Sequence, residues 1–450
     1  MKAGVDAIVV DTAHAHTKSV KDIVVKIKGN PNAGLVTSTL PSYYNATAYP
    51  VVSGSLDNVF VQNGGTGYGT STVTNYLLEP RVEIERGKGA ELRAVVQNGR
   101  ISDIVIHPNN NNIWYVTAGS GGVWKTENSG TTWNPIFDNQ QSYSIGCIAL
   151  DNQNPDIIWV GTGENVGGRH VGYGDGIYKS ENGGQTWSKK GLNNSEHISK
   201  IIIHPNNSDV LWVASQGPLW SKGGDRGVYK TVDGGKTWQR KLGDDNWIGA
   251  TDLLIDSRNP DLLYAATWQR HRTVAGYLGG GPGSGIYKSV DGGESWQKLS
   301  KGLPSSNMGK IGLTMAPQNT DIIYAAIELN RRTGGVYKSL DKGASWTKMN
   351  DAIAGGTGPH YYQEIYASPH NFNEIYLADN YMQVSYDGGK TFERMNESEK
   401  HVDNHAVAFK KSDPNYILIG CDGGLYESFD NTKNWKFIDN LPITQFYKIA

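Results

Sequence analysis

Short apolar runs rich in β-branched and aromatic residues alternate with polar segments rich in Asn, Pro, Asp and Gly along most of the chain. One such run, IIIHPNNSD (201–209), is followed by VLWVAS, and another, LLIDSRNPD (253–261), is followed by LLYAAT. After a loop of variable length comes GVYKT or GIYKS, and later a short run such as WQRKL. Apolar runs of this length, separated by turn residues, predict four β-strands per unit.

An eight-residue phrase recurs once in each unit, with a period of about fifty residues that is typical of repeat architectures. Its copies include TVDGGKTW and SVDGGESW, and they begin at Thr126, Ser180, Thr231, Ser289, Ser339, Ser385 and Ser428. Four-stranded units repeated around an axis build a β-propeller. The sequence therefore predicts an all-β fold with a seven-bladed propeller over residues 99–440.

The repeated phrase predicts a tight hairpin. In SVDGGESW, Gly292 and Gly293 supply the backbone conformations of the turn, and the Asp291 carboxylate can accept N–H bonds within it. The same acid recurs at the same place in five units, whereas a catalytic group is needed only once. We therefore interpret the acids of this phrase as turn residues and not as catalytic acids: Asp233, Asp291, Asp341, Asp387 and Asp430.

These phrases resemble the Asp-box, or bacterial neuraminidase repeat, of sialidases, xyloglucanases and sortilin-type propellers. The runs AGSGGVWKT, VGTGEN, SEHISKIIIHP, HVDNHAVAF and GCDGGLYE are similar to the large secreted bacterial proteins called sortilin-like or glycosyl-hydrolase-like, over about residues 100–450. The resemblance implies a propeller scaffold and an exported parent protein. In that family the sequence continues beyond LPITQFYKIA (441–450), which we interpret as the truncated start of further propeller sequence.

The first part of the chain has a different pattern. Residues 3–29 predict a buried strand, a loop and an amphipathic helix, and they resemble one strand-helix unit of the inosine monophosphate dehydrogenase barrel, with Asp11 at the strand end. One unit cannot close a barrel of eight, so no dehydrogenase activity is expected. We assign residues 1–31 to this fragment.

Residues 32–106 are rich in Gly, Thr, Asn, Val and Tyr, and they resemble β-rich modules of phage virion proteins, of the baseplate kind. Neither a dinucleotide-binding glycine fingerprint nor a Walker lysine motif occurs there. We assign residues 32–98 to this module. Three unrelated resemblances in one chain indicate a composite sequence, in which function is to be sought in the propeller.

Composition restricts the function further. The formal net charge is −2 and no basic run occurs, which excludes an electrostatic case for nucleic-acid binding. No apolar stretch is long enough to span a membrane, and the start MKAGVDAIVVD lacks a cleavage region, so the chain as written is expected in the cytoplasm although the resembled family is secreted. Cys147 and Cys421 are expected to be buried small hydrophobes without a disulfide, and no cofactor is predicted.

A functional site is expected at the mouth of the central channel. The segments that enter the inner strands differ from unit to unit, as one asymmetric site requires; examples are SEHIS (195–199), HYYQEIY (360–366) and HVDNHAV (401–407). The binding candidates in these segments are His197, Tyr361, Tyr362, His401 and His405. The binding candidates in the long loops are Glu164, Arg169, His170, Asp175, Trp220, Asp225, Arg226, Trp268 and Arg270.

Two kinds of function fit these residues. Glycoside hydrolysis needs two carboxyl groups, about 5 Å apart for retention or about 6.5–9.5 Å for inversion, and the catalytic candidates are Glu364, Asp403 and Glu196, with Glu164 and Asp175 in reserve. The alternative is a non-catalytic propeller that binds a peptide, protein or glycan. A third hypothesis, a metal at His401, Asp403 and His405, competes with simple hydrogen bonding of the histidines. In a functional mouth these side chains should stay partly exposed.

Overall fold

The structure is a computed structural model that describes residues 100–168, 171–244, 246–329, 333–352 and 364–443, together with four short strands nearer the N-terminus. The chain divides into two compact units. One comprises Met1–Asn98 and Pro442–Ala450, and the other comprises Gly99–Leu441.

The described residues of the N-terminal unit form two antiparallel strand pairs. Strand β1 (Ile23–Val25) pairs with β2 (Val36–Ser38), and β3 (Ala46–Val52) pairs with β4 (Leu56–Gly64). The amphipathic helix predicted within residues 3–29 is wrong at Ile23–Val25, which is a strand. Three consecutive β-branched residues favour an extended backbone over a helix. The strand predicted before them lies outside the described residues.

The second unit is built from seven antiparallel sheets of four strands, each from one contiguous stretch of chain. Blade 1 comprises β5 (Ile101–Ile106), β6 (Trp114–Ala118), β7 (Gly122–Thr126) and β8 (Asn134–Pro135). Blade 2 comprises β9 (Ile145–Leu150), β10 (Ile158–Thr162), β11 (Ile177–Ser180) and β12 (Ser188–Lys189). Blade 3 comprises β13 (Ile198–His204), β14 (Asn207–Ser215), β15 (Gly227–Thr231) and β16 (Gln239–Leu242).

The remaining four blades follow the same order. Blade 4 comprises β17 (Ile248–Asp256), β18 (Asn259–Gln269), β21 (Gly285–Ser289) and β22 (Gln297–Lys298), with a small hairpin of β19 (His271–Arg272) and β20 (Tyr277–Leu278) inserted. Blade 5 comprises β23 (Ile311–Met315), β24 (Ile323–Glu328), β25 (Gly334–Ser339) and β26 (Thr347–Asn350). Blade 6 comprises β27 (Glu364–Ala367), β28 (Ile375–Ala378), β29 (Gln383–Ser385) and β30 (Glu393–Arg394). Blade 7 comprises β31 (Asn404–Phe409), β32 (Ile417–Cys421), β33 (Gly424–Ser428) and β34 (Lys436–Phe437).

The sheets are arranged as a ring, and the core lies between consecutive blades. The inner strand β5 lies against β9, β9 against β13, and β13 against β17, and the circle closes where β31 lies against β5. Apolar side chains of adjacent blades pack together in these spaces, for example Tyr115 of blade 1 with Ile148 and Val160 of blade 2. The predicted all-β, seven-bladed propeller is confirmed. The described residues contain no helix that is long and apolar enough to cross a membrane.

The acids of the repeated phrase lie in the hairpins between the third and fourth strands. Asp233 Oδ1 accepts bonds from the backbone nitrogens of Lys236 (3.0 Å) and Thr237 (2.9 Å), and its Oδ2 accepts from Thr237 Oγ1 (2.6 Å). The hydroxyl and backbone nitrogen four residues on make the same two bonds to Asp291, Asp341 and Asp387. This is the geometry that the turn interpretation predicts.

Two hairpins use an amide in place of the acid. Asn128 Oδ1 accepts a bond from Thr132 N (2.8 Å), and its Nδ2 donates to Thr132 Oγ1 (2.9 Å). Asn182 makes the same pair of bonds with Thr186. The turn therefore needs a side-chain oxygen at this position, and it does not need a negative charge.

Candidate functional site at the channel mouth

Inner strands begin at one end of the channel, and the loops between second and third strands return to that end because the strands alternate in direction. We call this end the mouth. Its longest described loops join β10 to β11 in blade 2, β14 to β15 in blade 3, and β18 to β21 in blade 4. The hairpins of the repeated phrase lie at the opposite end of the blades. Among the described residues, the sequence-predicted site residues and the turn residues therefore occupy opposite ends.

The loop of blade 2 reaches across the mouth to blades 5 and 6. Asn165 Nδ2 donates to Glu364 Oε1 (3.0 Å), and Lys310 Nζ donates to the carbonyl oxygen of Asn165 (3.0 Å). Gln216 Nε2 also donates to Asn165 Oδ1. Burial lowers the pKa of Lys310 to about 8, an effect that the Glu364 carboxylate opposes. Through its side chain and its backbone carbonyl, Asn165 of blade 2 thus joins three other blades.

Glu364 remains partly exposed at the start of β27. Its second oxygen, Oε2, accepts a bond from the Tyr366 hydroxyl (2.6 Å), which also lies 3.2 Å from the carbonyl oxygen of His405. Burial, followed by the charge of Glu364, raises the pKa of Tyr366 well above its usual value, so this phenol is a hydrogen-bond donor at neutral pH. Both carboxylate oxygens of Glu364 are oriented by the protein while the group is still reachable by solvent.

Glu164 belongs to a buried ionic network at the seam between blades 7 and 1. Arg100 donates from Nη1 to Glu164 Oε1 (3.0 Å) and from Nε to Asp422 Oδ1 (2.7 Å), and His405 Nε2 lies 2.6 Å from the same Asp422 oxygen. Burial opposes ionisation of Asp422, but Arg100 and His405 outweigh it and hold its pKa well below the usual value. Glu164 and His405 therefore stabilise the ring, and neither is open to a ligand.

Glu196 and His197 lie side by side at the mouth with different exposures. Glu196 is half-buried and has a left-handed backbone (φ 54°); burial raises the pKa of its carboxyl, while the Leu219 amide and the charges of Arg270 and Arg226 lower it. His197 is fully buried, and its Nδ1 lies 2.9 Å from the carbonyl oxygen of Glu164. Burial lowers the pKa of His197 well below its usual value, so the ring is neutral.

Two of the arginines predicted to bind a ligand, Arg226 and Arg270, instead hold the loops of the mouth in place. Arg270 donates to the carbonyl oxygens of Val166 (2.9 Å) and Gly217 (3.0 Å), and Arg226 donates to three carbonyls of its own loop. Burial lowers the pKa of Arg270 to about 9 and that of Arg226 to about 10. Both are fully buried, so they do not provide an open cationic surface.

The predicted tryptophan platforms are also inside the loops. Trp268 is 2% exposed, its Nε1 donates to Gly279 O (2.9 Å), and the guanidinium of Arg270 lies 5.2 Å from its ring. Trp220 is partly buried against Val166, Val171 and Leu219. Trp268 therefore cannot offer a face to a sugar, because loop packing already covers it.

Two further predicted carboxylates are tied to neighbouring groups. Asp175 Oδ2 accepts bonds from the Tyr178 hydroxyl (2.6 Å) and from Lys189 Nζ (2.8 Å). Asp225 Oδ2 accepts a bond from the backbone nitrogen of Asn194 (2.9 Å). Both are partly buried and fix the loops of blades 2 and 3.

The metal hypothesis for HVDNH fails on geometry. Asp403 has a left-handed backbone (φ 63°) and precedes β31, whose pairing is irregular after Asn404, so the three side chains do not share a strand face. His401 Nδ1 lies 2.6 Å from Val402 O, and Asp403 accepts a bond from Asn380 Nδ2. All three predicted residues are buried, contrary to the expected exposure. Within the described ranges, no group of three or more His, Cys, Asp and Glu is placed to hold a metal ion.

Four predicted binding residues lie outside the described residues: Arg169, His170, Tyr361 and Tyr362. They stay predictions. The two cysteines are buried and free, and burial raises the pKa of both thiols, that of Cys421 to about 12.

Sequence reasoning missed a ring of charged side chains in the inner strands. In the strand registers, Asp103, Lys200, Asp252 and Glu364 pair with Thr117, Ala214, Ala266 and Ala378 at equivalent positions of blades 1, 3, 4 and 6. Their charges act on one another although blades 1, 3 and 6 are not neighbours, which places them around the channel. The sequence signal for these residues was a charged residue within a strand that is mostly apolar.

Within this ring the aspartates also join blades. Asp103 Oδ2 accepts a bond from Ile148 N (3.0 Å) of the next blade, and Asp252 Oδ2 accepts one from Leu313 N (2.8 Å). Burial raises the pKa of both carboxyls to about 6, although Lys200 lowers it. Burial alone would lower the pKa of Lys200, but the surrounding carboxylates raise it.

Two exposed tyrosines at the mouth were missed as individual residues. Tyr143 is 68% exposed and Tyr173 is 54% exposed. Ser142 Oγ donates to the carbonyl oxygen of Tyr173 (3.2 Å), so the two backbone segments are adjacent. Two exposed aromatic side chains on adjacent segments form a candidate contact surface.

Comparison with solved structures agrees with the fold. A GH74 enzyme from Niastella koreensis is 17% identical with a TM-score of 0.55, and the match covers 80% of this chain and 56% of that one. A GH74 xyloglucanase from Xanthomonas campestris is 14% identical with a TM-score of 0.56, covering 76% and 55%. At these identities the likeness concerns the fold alone.

Comparison with curated proteins gives xyloglucanases that match less than half of this chain. An oligoxyloglucan-reducing end-specific xyloglucanase of Emericella nidulans is 24% identical over 221 residues, which are 45% of this chain and 24% of that protein. A xyloglucanase of a Paenibacillus species is 24% identical over 224 residues, 44% of this chain and 20% of that protein. The chain thus spans about a quarter of the curated relatives it matches. These matches give no support to the dehydrogenase and phage resemblances of the N-terminal residues.

A family model covers more of the chain than any of these curated relatives does. The model described as Sortilin, neurotensin receptor 3 (Sortilin-Vps10) matches residues 175–331 and 334–446, which together are more than half of the chain and run from blade 2 to blade 7. With its seven blades and this match, the chain belongs to the Sortilin-Vps10 family.

Proposed function

We propose that the propeller binds a glycan at the channel mouth, with Tyr143 and Tyr173 as the stacking surface and Glu364 as the central polar contact. The observation that carries the proposal is the hydrogen bond from Asn165 to Glu364, because it brings the tyrosine-bearing loop of blade 2 to the carboxylate of blade 6. Sugar rings have apolar faces and polar edges, so they suit a loop that carries an exposed aromatic ring and whose Asn165 also orients a carboxylate. The site would act outside the cell, where polymeric glycans occur.

The class of glycan is suggested by the relatives. Several of the curated relatives and one of the solved structures are xyloglucanases by name. A decorated β-glucan such as xyloglucan is therefore the first ligand to test. Because the chain spans about a quarter of the curated relatives' length, binding and cleavage are separate proposals for it.

Cleavage would require a second carboxyl group in the hydrolytic range of Glu364. Of the predicted catalytic residues, Asp403 is 1% exposed and hydrogen-bonded, which leaves Glu196 as the partner. A general acid needs a raised pKa, and burial raises that of Glu196. We propose Glu196 as the acid and Glu364 as the ionised carboxylate of any hydrolytic reaction at this mouth.

A peptide ligand is the second candidate function. Its supporting observation is that four of the predicted charged residues of the mouth are buried in structural contacts, as expected of an interaction module without a matched acid pair: Glu164, Asp403, Arg226 and Arg270. In that case the exposed tyrosines contact the peptide and Glu364 accepts one hydrogen bond from it.

Calorimetric titration with xyloglucan oligosaccharides tests the proposal. Tyr143→Ala and Tyr173→Ala should each weaken binding, whereas Leu340→Ala, an exposed apolar residue at the opposite end of blade 5, should not. If the wild-type protein releases reducing ends and Glu364→Gln does not, the mouth is a hydrolytic site. If the wild-type protein binds the oligosaccharides without releasing reducing ends, it is a receptor-like module. If no oligosaccharide binds the wild-type protein but a peptide library does, the glycan proposal is wrong.

A further inference from the structure

A second candidate site lies at the opposite end of the propeller from the mouth, between blades 6 and 7. It is a cleft with a volume of about 430 Å³, within the range of small-ligand sites. Its walls come from the turn between β27 and β28 and from the hairpins of the repeated phrase in both blades. The lining residues are His370, Asn371, Phe372, Asn373, Glu374, Tyr386 and Asn431.

The residues of this cleft depart from the repeat. Phe372 stands where the corresponding turns of blades 1, 2, 5 and 7 carry Asn111, Pro155, Thr320 and Pro414. Glu374 directly precedes the second strand, where the same four blades carry Ile113, Ile157, Ile322 and Tyr416. A repeat protein that needs one asymmetric site has to break its own pattern there, because equal positions would otherwise create equal surfaces in every blade.

The carboxylate of Glu374 is buried in a position that is apolar elsewhere. It is 3% exposed, and it accepts bonds from the Tyr376 hydroxyl and from Asn371 Nδ2. Among the described residues it forms no ion pair within 4 Å. Burying a carboxylate is costly unless it is well hydrogen-bonded, so replacing an aliphatic residue by Glu374 has no packing advantage. A role in orienting donors at the cleft accounts for it.

The hairpin of blade 7 departs from the repeat at two further positions. Its phrase is SFDNTKNW, so Asn431 and Thr432 occupy positions that are Gly-Gly in TVDGGKTW. Both keep the left-handed backbone of the turn, with φ of 54° and 71°. This conformation is costly for residues other than glycine, above all for a β-branched residue. The strain falls mainly on the β-branched Thr432, because asparagine adopts this conformation more readily than other non-glycine residues, and Asn431 places a carboxamide at the cleft.

The cleft offers the groups that a neutral sugar uses. Phe372 is 40% exposed and Tyr386 is 53% exposed, so each presents a ring to solvent. The carboxamide nitrogens of Asn373 and Asn431 donate no hydrogen bond to any described residue, while Asn431 Oδ1 lies 3.4 Å from the Tyr376 hydroxyl. Amide donors and aromatic faces match the edges and faces of a pyranose, and the buried Glu374 can strengthen one hydroxyl bond by its charge.

We propose that this cleft between blades 6 and 7 is a second glycan-binding site, for one or two neutral sugar units. It does not rest on the site proposed at the mouth, since the two use different residues at opposite ends of the blades. A polysaccharide that contacts both ends of the propeller would bind with higher affinity than at either site alone, because the two weak contacts are linked.

The test uses the full chain carrying Tyr143→Ala and Tyr173→Ala, which removes the stacking surface proposed at the mouth, and cellotetraose as the probe in saturation-transfer NMR and calorimetry. Phe372→Asn should weaken binding about tenfold through loss of one aromatic contact. Asn431→Gly should also weaken binding, because it removes the carboxamide, while the hairpin is retained since glycine occupies this position in other blades. Leu340→Ala, which truncates the blade 5 counterpart of Tyr386, is the matched control and should leave binding unchanged.

Unchanged cellotetraose binding in both Phe372→Asn and Asn431→Gly overturns the proposal, as does the absence of binding in the parent double variant. Binding of tetramethylammonium but not of cellotetraose also overturns it, since it would identify an aromatic and carboxylate site for cations. Whether the mouth binds a glycan is measured separately, in titrations of variants in which only Tyr143 and Tyr173 are changed.

Discussion

Asn165 of blade 2 donates a hydrogen bond of 3.0 Å to Glu364 of blade 6, although the two residues are 199 positions apart in the chain. This contact spans the channel mouth. It fixes one oxygen of a partly exposed carboxylate while Tyr366 fixes the other. The mouth is therefore preorganised around Glu364 before any ligand arrives.

Replacing Glu364 with Gln should separate the two proposed functions. The amide keeps an oxygen for Asn165, so the fold should be retained, but the negative charge is lost. We expect reducing-end release from xyloglucan to disappear if the mouth hydrolyses glycans, and only a weaker binding constant if it does not. Tyr366→Phe is the control, because it removes the neighbouring hydroxyl and keeps the charge. Unaltered release and binding in Glu364→Gln would exclude this residue from the site.

Arg100→Met should strongly destabilise the propeller. The substitution leaves Glu164 and Asp422 buried without their shared guanidinium, and breaking a buried ion pair in this way costs about 3–5 kcal/mol. Urea denaturation measures the change. Lys348→Met removes an exposed ion pair with Asp351 and should have a much smaller effect. Equal losses of unfolding free energy in both variants would show that the buried network of Arg100, Glu164 and Asp422 contributes no more stability than an exposed ion pair.

Asp387→Asn should reduce the acid sensitivity of the fold, and it should lower the stability more at pH 7 than at pH 2.5. Hydrogen bonds to Thr391 hold the pKa of Asp387 at about 2, below the 3.8 of a free side chain. A lowered pKa stabilises the folded state above pH 3.8, and this stabilisation is lost as the pH falls to about 2. The natural Asn128 and Asn182 hairpins show that an amide fits the turn. Denaturation at pH 7 and pH 2.5 gives the comparison, and an equal effect of the variant at both values would contradict it.

Asp252→Asn should show the opposite pH dependence. Burial raises the pKa of Asp252 to about 6, above the unfolded 3.8, so its contribution to stability is complete below pH 3.8 and is lost as the pH rises through 6. The amide does not ionise. We expect the free energy of unfolding of the variant, relative to that of the wild type, to be lower at pH 4 than at pH 7.5. Urea denaturation at both pH values measures it. Asp261→Asn, a surface position, is the control. A difference in stability that stays constant across the pH range would show that burial does not raise the pKa of Asp252.

Deleting residues 1–98 should leave the melting temperature of the propeller nearly unchanged. The unit Gly99–Leu441 has its own core between its blades and closes its ring with its own residues. Calorimetry of the shortened and full chains provides the measurement. A fall of several degrees would show that the N-terminal residues are part of the propeller's stability.

The sequence determined the propeller because its information is local. The hairpin of Asp291 is complete within eight residues, from Ser289 to Trp296, and the four-strand pattern repeats in each unit, so neither depends on distant contacts. Local reasoning failed at Ile23–Val25, where a helical pattern of apolar residues outweighed the strand preference of the β-branched run.

Only the tertiary structure decided which of the candidate residues face a ligand. Arg270, Trp268 and Asp403 have the chemistry of binding residues in the sequence, but loops from other blades bury them. Asp103 and Lys200, on blades that are not neighbours, meet across the channel only because seven sheets close into a ring. Exposure and convergence depend on the packing of segments far apart in the chain, and a pattern that repeats every fifty residues or so carries no record of that packing.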